Sequence, residues 1–519
     1  MNSINRFVLY VYFVFITICY TKLTDYLEDT NRTFNAIEGK VVTVKIDMEP
    51  KKYEEMYVAV QNSLEDYFVK YNGKLDNFET FEAKTNMTVI VDKKEKYFFE
   101  KVNFKVGGQF GRINAKLGYN IKLKKKDNLF GRRTLRLKAD PFDYTHIRSK
   151  LTTDLMNKWE IPSIQESFAR LYVNDEFFGL YFLEDAIKPS WILENYDYDS
   201  EEEVTTLYYC QTSGASLSPK GIEKCHNEKD NYLNYTQPLD DLVKKAQNYT
   251  TIRQLQKVFD VENLRKLMIS EYLFGAYDNF LIAGHNYHFY QQKNGIWQVL
   301  VHDYDINFAS DIDLSLSNLH VNYDLKKDIN DYLTVSFDEW YSRDVRKPFV
   351  ESIYYNDRKT FKKVLREMLV TGFNPDDLFA RIDELYDFIE PYIVEDRTLN
   401  DRNIYPGSIN LVGLQYNYTV EDSRKNKDYT MINVSFGLKQ FIKARFDSVC
   451  KHYGFNKKAV LRDAAIYRKQ VAINRKAKKI QEQIKVKKQE LKKACGNAKK
   501  KIQKSINELL NKLNKLFKA

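Results

Sequence analysis

Near the middle of the chain a largely apolar run, Ile296–Val301, leads directly into His302-Asp303-Tyr304-Asp305. A short apolar stretch bounded by a Lys293-Asn294-Gly295 turn reads as a strand, here one that delivers two carboxylates at its end. The segment before the turn, Tyr287–Gln291, reads as the partner strand of a hairpin. Ahead of it come Asn286, a loop over Phe280–His285, and Asp278. Asp278 follows a periodic helix, Val261–Tyr277, with Leu264, Leu267, Met268 and Tyr272 in register. The order is helix, Asp, Asn, hairpin, Asp. Any fold that accommodates it must bring the helix end to the open end of the hairpin, because a hairpin sets residues about 25 apart in sequence side by side.

That order suits metal-dependent phosphate chemistry. One carboxylate orients or deprotonates an attacking hydroxyl, while an Asn and a second carboxylate hold Mg²⁺ on nucleotide phosphates. Mg²⁺ prefers oxygen ligands, which Asp and Asn supply. An Asp-x-Asp by itself carries little weight, since Asp197-Tyr198-Asp199 and Asp311-Ile312-Asp313 occur in the same chain. The pattern alone leaves kinase and glycosyltransferase chemistry in competition, because glycosyltransferases also use Asp-x-Asp to hold a metal-bound nucleotide sugar.

The rest of the chain reads as α+β. Lys40–Asp47 is an expected strand and Tyr53–Val69 an expected helix. Short alternating runs follow at Met87–Val91, Tyr97–Val106, Tyr119–Lys124 and Arg133–Lys138, the mark of antiparallel pairing. Asp143–Trp159 reads as an amphipathic helix, and Ser167–Val173 with Phe178–Leu183 as a hairpin around Asn174-Asp175-Glu176. Residues 200–248 have little periodicity and read as an insertion. Helices dominate thereafter, at Arg358–Leu369, Asp376–Tyr392 and Phe436–His452.

Charge divides the chain. Residues 457–519 hold 21 Lys and Arg against four Asp and Glu, so the other 456 residues carry −7 although the whole chain is +10. Apolar residues near heptad spacing, from Ile473 through Ile484 and Ile502 to Leu516, make this tail one long basic helix or coiled coil, broken or bent at Cys495-Gly496. Such a tail is either a solvated helix without a partner or one that grips an anionic wall polymer, membrane headgroups or another helix.

At the other end, Arg6 precedes a thirteen-residue apolar run, Phe7–Cys19, which fits a secretory signal over residues 1–20 and falls short of a bilayer span. Tyr20-Thr21-Lys22 lacks the small residues of a cleavage site, which leaves an uncleaved anchor as the alternative. Asn-x-Ser/Thr acceptors at Asn31, Asn86, Asn234, Asn248, Asn417 and Asn433 agree with export. Cys210 and Cys225 could close a disulfide loop in an oxidising compartment, whereas Cys450 and Cys495 have no obvious partner. With export expected, nucleic acid is not an expected partner of the basic tail.

Taken together, several segments resemble the CotH kinase family over roughly residues 41–455. Lys116-x-x-Tyr119-x-Ile121-Lys122-Leu123 is similar to the family's Lys-x-Tyr-x-Ile-Lys-Leu segment. Asp143-x-Thr145-x-Ile147-Arg148-x-Lys150-Leu151 resembles its next helix, and Arg170-Leu171-Tyr172-Val173-Asn174 with Phe178-Gly179-Leu180-Tyr181 its hairpin. Glu271-Tyr272-Leu273, Asp278-Asn279, Asn286-Tyr287 and Asp303-Tyr304-Asp305 resemble its catalytic half. The resemblance implies an atypical protein-kinase-like, two-lobed domain over residues 40–455, using ATP with Mg²⁺ or Mn²⁺ to phosphorylate Ser or Thr of a secreted or coat protein. Asp278 would be the catalytic Asp. Asn286 and Asp303 would hold the metal, with Asp305 beside them. Lys116 would meet the ATP phosphates, with Lys122 and Arg148 behind it. The family's Arg-Gly-x-Ser stands here as Val106-Gly107-Gly108-Gln109, so the glycine segment over the nucleotide departs from the pattern. A non-catalytic adhesion protein on a degenerate kinase fold is the competing reading.

Overall fold

The computed structural model describes residues 26–27, 33–70, 80–312 and 331–517. The apolar run Phe7–Cys19 and the acceptor Asn31 lie outside the described residues.

Strands β1 (Val41–Asp47), β2 (Glu82–Ile90), β3 (Lys96–Val106), β4 (Tyr119–Lys122), β5 (Thr134–Lys138), β6 (Glu166–Val173) and β7 (Glu176–Asp185) form the first half of the molecule. The antiparallel pairing expected from the alternating runs is present, and it closes into a barrel ordered β1-β2-β3-β4-β5-β7-β6. Only the closing pair, β6 with β1, runs parallel. Alternation explains the barrel's interior: Val42, Val44 and Ile46 of β1 meet Leu135 and Leu137 of β5 and Leu171 and Val173 of β6 in one apolar core. The opposite faces of β5 and β7 carry Arg136, Lys138 and Glu184, and these point the chemistry away from that core. Asn174 and Asp175, at φ 47° and 64°, make the tight β6–β7 turn.

The α-helices longer than a single turn are α1 (Pro50–Ala59), α2 (Arg148–Lys158), α3 (Pro189–Asn195), α4 (Gln237–Ala246), α5 (Val261–Phe274), α6 (Arg358–Thr371), α7 (Pro375–Asp396), α8 (Val420–Asn426), α9 (Leu438–Tyr453), α10 (Lys457–Lys493) and α11 (Gly496–Leu516). Two expected boundaries move for identifiable reasons. The helix expected from Asp143 begins at Arg148, because the Asp143 carboxylate accepts the backbone N–H groups of Ile147 (2.8 Å) and Arg148 (2.7 Å) and so starts the helix from outside it. The helix expected to reach Tyr277 stops at Phe274, since Gly275 takes a left-handed conformation at φ 63°. A Cβ there would lie 2.8 Å from the Tyr332 hydroxyl. The chain therefore turns sharply and presents Asp278 three residues beyond that glycine. None of the described helices is long and apolar enough to cross a membrane.

A second sheet, ordered β11-β10-β8-β9, contains the hairpin expected from sequence, β10 (Tyr287–Gln291) and β11 (Trp297–Val301). Its other strands, β8 (Leu207–Cys210) and β9 (Cys225–Asn227), come from the segment expected to be an aperiodic insertion. That segment is instead half of the sheet, too short in each strand to show alternation. Cys210 and Cys225 are disulfide-bonded, as their spacing suggested. The closed loop reaches across the hairpin: Gly214 N–H donates to Ala283 (2.6 Å) and Ala215 N–H to Gly284 (2.9 Å). Gly284 has φ +57°, and a Cβ on it would stand 2.3 Å from the Ala215 carbonyl oxygen. The loop between Asp278 and Asn286 is thus moulded against the stapled segment.

The tail breaks at the expected Cys495-Gly496 position, and the break is a reversal. α10 ends at Lys493, the chain reverses through Ala494-Cys495, and α11 runs back along it, with Lys512, Lys515 and Leu516 facing Lys476, Lys479 and Ile480. Ala477, Ile484 and Ile506 are buried in the seam, so the heptad positions find their partner within the same chain. At its start α10 lies along α6 and is tied to the body by Arg366–Asp463 and Arg468–Asp377.

The bond that staples the Asp278–Asn286 support can be tested directly. With 15 residues separating the two cysteines, the Cys225→Ser variant is expected to lose about 3 kcal/mol of unfolding stability. Amide exchange across Phe280–Asn286 should accelerate more than exchange in β1. Equal acceleration in both would show that the staple does not support this loop in particular.

Candidate active site

Three segments meet at the open end of the hairpin, opposite its turn. After α5, Asp278 receives two side chains, one on each carboxylate oxygen. Asn286 Nδ2 donates to Oδ2 at 2.9 Å and to the Asp278 carbonyl at 3.1 Å, and His285 Nδ1 stands 3.2 Å from Oδ1. Asn279, fully buried, donates to the carbonyls of His302 (3.0 Å) and Asp303 (3.2 Å). His302 N–H in turn donates to the Asn286 carbonyl at 3.1 Å. The expected convergence of Asp278, Asn286 and the hairpin end is therefore present as a hydrogen-bonded unit. Asn286 (φ 54°) and Asp303 (φ 69°) both adopt left-handed backbone, which re-aims each side chain where the strands end. Glu271 steadies the loop from the α5 side, its two carboxylate oxygens accepting from Phe280 N–H (3.2 Å) and Leu281 N–H (2.8 Å).

The barrel supplies the cation. Lys138, the last residue of β5, is hydrogen-bonded to Asp303 and lies 3.3 Å from Asp305. Burial would lower the Lys138 ammonium, but Asp303 and Asp305 hold it well above the ordinary lysine range. Burial would likewise raise Asp303; the Lys138 charge and hydrogen bond outweigh it and keep that carboxyl below the usual range. Asp305 goes the other way, pushed up to about 8 by burial and by the neighbouring Asp303 charge against the pull of Lys138. The two carboxylates of one Asp-x-Asp thus have opposite protonation tendencies. About a third of the Asp278 and Asp303 side-chain surface is exposed, against 14% for Asp305, so the first two can be reached by a ligand and the third sits behind them.

More buried acid surrounds this core. Glu184 on β7 is pushed up to about 7 by burial, and Glu166 on β6 well above its ordinary value by burial and by the Glu184 charge. Asp140, two residues past Lys138, is buried with neither carboxylate oxygen hydrogen-bonded among the described residues, and burial and the Asp305 charge raise it. On the far side, the rings of His302, His288 and Tyr209 pack together, with His288 bonded to Glu228 at 2.9 Å. Tyr209 comes from β8, so the stapled segment forms one wall.

Among the described residues, no three His, Cys, Asp or Glu side chains are grouped to hold a metal by themselves. Asn286, Asp303 and Asp305 offer an amide and two carboxylates. That donor set suits Mg²⁺ or Mn²⁺, which bind through one or two carboxylates and complete their shell with water and substrate phosphate. The ammonium of Lys138 lying between Asp303 and Asp305 marks the place as one built for positive charge.

Of the three basic residues expected at the nucleotide, two are engaged elsewhere and one is exposed on a strand. Lys116 is paired with Asp396, donates to the Leu180 carbonyl at 2.9 Å, and lies over the Tyr181 ring. Lys122 is exposed on β4. Arg148 is fully buried, bonded to Asp143 (2.9 Å), Asn426 (3.0 Å) and the Phe436 carbonyl (2.6 Å), where it joins α2 to the segment before α9. Sequence pattern marks the strand that contains Lys138 but does not single out its cation. Its signal was the alternation Thr134-Leu135-Arg136-Leu137-Lys138, which places both cations on the face opposite the barrel core.

Residues 104–448 match the family model described as CotH kinase protein. Over 385 residues the chain is 25% identical to "Invasin CotH3" of Rhizopus delemar, covering 69% of this chain and 61% of that protein. It is 24% identical to "Invasin CotH2" of the same organism, covering 68% and 60%. It is 21% identical over 302 residues to "Inner spore coat protein H" of Bacillus subtilis, covering 56% and 76%. The matched stretch thus spans about 60% of the length of the two invasins. With the model matched across more than half its length, and with the Asp278, Asn286 and Asp303 segments inside the match, the chain belongs to the CotH kinase protein family.

Proposed function

We propose that this chain is an atypical protein kinase of the secretory pathway, transferring the γ-phosphoryl group of ATP to Ser or Thr hydroxyls of secreted or surface-coat proteins. The observation that carries the reading is the meeting of Asp278, Asn286 and Asp303 with Lys138 where the barrel faces the helical body. In this reading the barrel is the first lobe of a domain spanning residues 40–455, the helical body with the second sheet is the other, and residues 456–519 are an appendage. Asp278 takes the proton of the substrate hydroxyl; Asn286 and His285 fix its two oxygens, leaving the exposed part of the carboxylate to face substrate. Asn286 and Asp303, with Asp305 behind, would hold Mg²⁺ or Mn²⁺. The ion supplies charge neutralisation on the phosphates when bound. Lys138 meets the phosphates in the role first expected of Lys116. The names of the relatives, invasins and a spore-coat protein, support a coat or surface location for this chain, as do the N-terminal apolar run and the disulfide.

The second reading, a non-catalytic surface adhesion protein, is favoured by the two relatives named as invasins and by the departure at Val106-Gly107-Gly108-Gln109.

Thermal shift separates the two. ATP with Mn²⁺ should raise the melting temperature of the wild type, and Asp303→Ala should abolish the rise; a wild type that does not respond to nucleotide supports the adhesion reading. Asp278→Asn should keep the thermal response yet lower phosphate incorporation into a Ser-rich protein by at least about 100-fold. Undiminished incorporation in that variant would remove Asp278 from the mechanism. Lys138→Ala should weaken the nucleotide response while Lys122→Ala leaves it intact; the reverse result would return the phosphate role to β4.

A further inference from the structure

The folding of the tail into a hairpin changes what it can bind. The heptad residues of α10 and α11 face each other, with Ala477, Ile484 and Ile506 buried between them. The seam that would have recruited a partner helix is therefore filled by the chain itself. Outside the seam the surface is cationic: thirteen lysines from Lys476 to Lys515 are exposed, against three acidic residues, Glu482, Glu490 and Glu508. From Lys476 to the turn at Ala494, α10 extends for about 27 Å at 1.5 Å per residue. Lys485, Lys488, Lys492 and Lys493 lie near the end of that arm, and Lys500 and Lys501 continue the array on α11.

The composition of the arm selects among anionic partners. From Lys476 to Leu516, the part of the hairpin that projects beyond its ties to the body, there is no aromatic residue and no arginine; Arg475 and Phe517 flank that stretch at its base. The arm therefore lacks the rings on which nucleic-acid bases stack and the guanidinium forks that read phosphate and base edges. Exposed apolar residues are isolated, as at Val486 and Leu510, and do not form the broad apolar face that an interfacial membrane helix buries. The abundant companions of lysine are side-chain amides: Gln481, Gln483, Gln489, Asn497, Gln503 and Asn507 are all exposed. Amides both donate and accept, which matches the hydroxyl groups of a sugar, while ammonium groups match its charged substituents. A line of point charges on a rigid support favours a linear ligand with regularly repeated charge.

We propose that the α10–α11 hairpin is a docking arm for an acidic polysaccharide, holding the polymer along its outer lysines by charge and by amide contacts to hydroxyls. The seat is independent of the acidic site, so its test stands or falls separately from phosphate transfer.

The full chain should be titrated into end-labelled heparin fragments by fluorescence anisotropy over a range of salt concentrations. Wild type should bind with a log–log salt slope corresponding to several released counterions, and neutral dextran should not compete. Replacing Lys485, Lys488, Lys492, Lys493, Lys500 and Lys501 with Gln, which keeps helix propensity, should weaken binding by about tenfold or more at low salt. Replacing the same six with Arg should change it by less than about threefold. The proposal is overturned if the folded Gln variant binds as the wild type does, or if dextran competes. Tighter binding to duplex DNA or to phosphatidylserine vesicles at matched salt would assign the arm to another class of partner and overturn it equally.

Discussion

One cation joins the barrel to the second sheet. Lys138 ends a barrel strand, and its ammonium sits between two carboxylates that end a strand of the other sheet. Separating those partners would leave like charges facing each other across poorly hydrated space, with Asp140, Glu166 and Glu184 close behind. The register follows from this pairing. β5 must present Lys138 outward, so Leu135 and Leu137 point inward and help fill the barrel; β11 must end at Val301, so that the turn of Asp303 begins there.

Around that contact the local structure is arranged to keep flexible segments fixed. Gly275 ends α5 abruptly, Glu271 accepts the first two loop amides after Asn279, and the stapled segment grips the far side of the same loop. Elsewhere a buried network of Glu38, Lys150, Asp154 and Arg381 ties the start of the barrel to α2 and α7. Its charges are paired within the protein and lie outside the acidic cluster at the open end of the hairpin. Lys116 with Asp396 is of the same kind.

Much of this was legible in the sequence, for physical reasons that also explain what was not. The hairpin and its acidic end could be read because apolar runs, a Lys-Asn-Gly turn and the following carboxylates are local signals. Asp278 and Asn286 could be placed beside them because a hairpin and a helix end constrain one another. β8 and β9 could not be read, because strands of three or four residues leave no periodicity; only their cysteines marked the segment. Lys116 and Arg148 looked suited to phosphate because charge is visible in a sequence, whereas the buried acids that engage them, Asp396 and Asp143, are brought there by the fold. The reversal of the tail was half legible: glycine beside Cys495 marked a break, while heptad spacing is the same for a helix that finds its partner in another chain and one that finds it in its own.

Closure of the barrel has a consequence for a protein expected to work outside the cell, where chaperones are scarce. All seven strands have neighbours on both sides, although β4 covers the longer β3 only over Asn103–Val106, so protection of the barrel's amides is greatest where the strands overlap. The other sheet is guarded by different means. β9 is only three residues long, and β11 has its outer edge occupied where Trp297 exchanges backbone hydrogen bonds with Val258 (2.7 Å) and Asp260 (2.9 Å). Over the barrel's overlapping stretches a second copy finds no free row of amides to extend, which lowers the tendency of neighbouring molecules to join through their sheets.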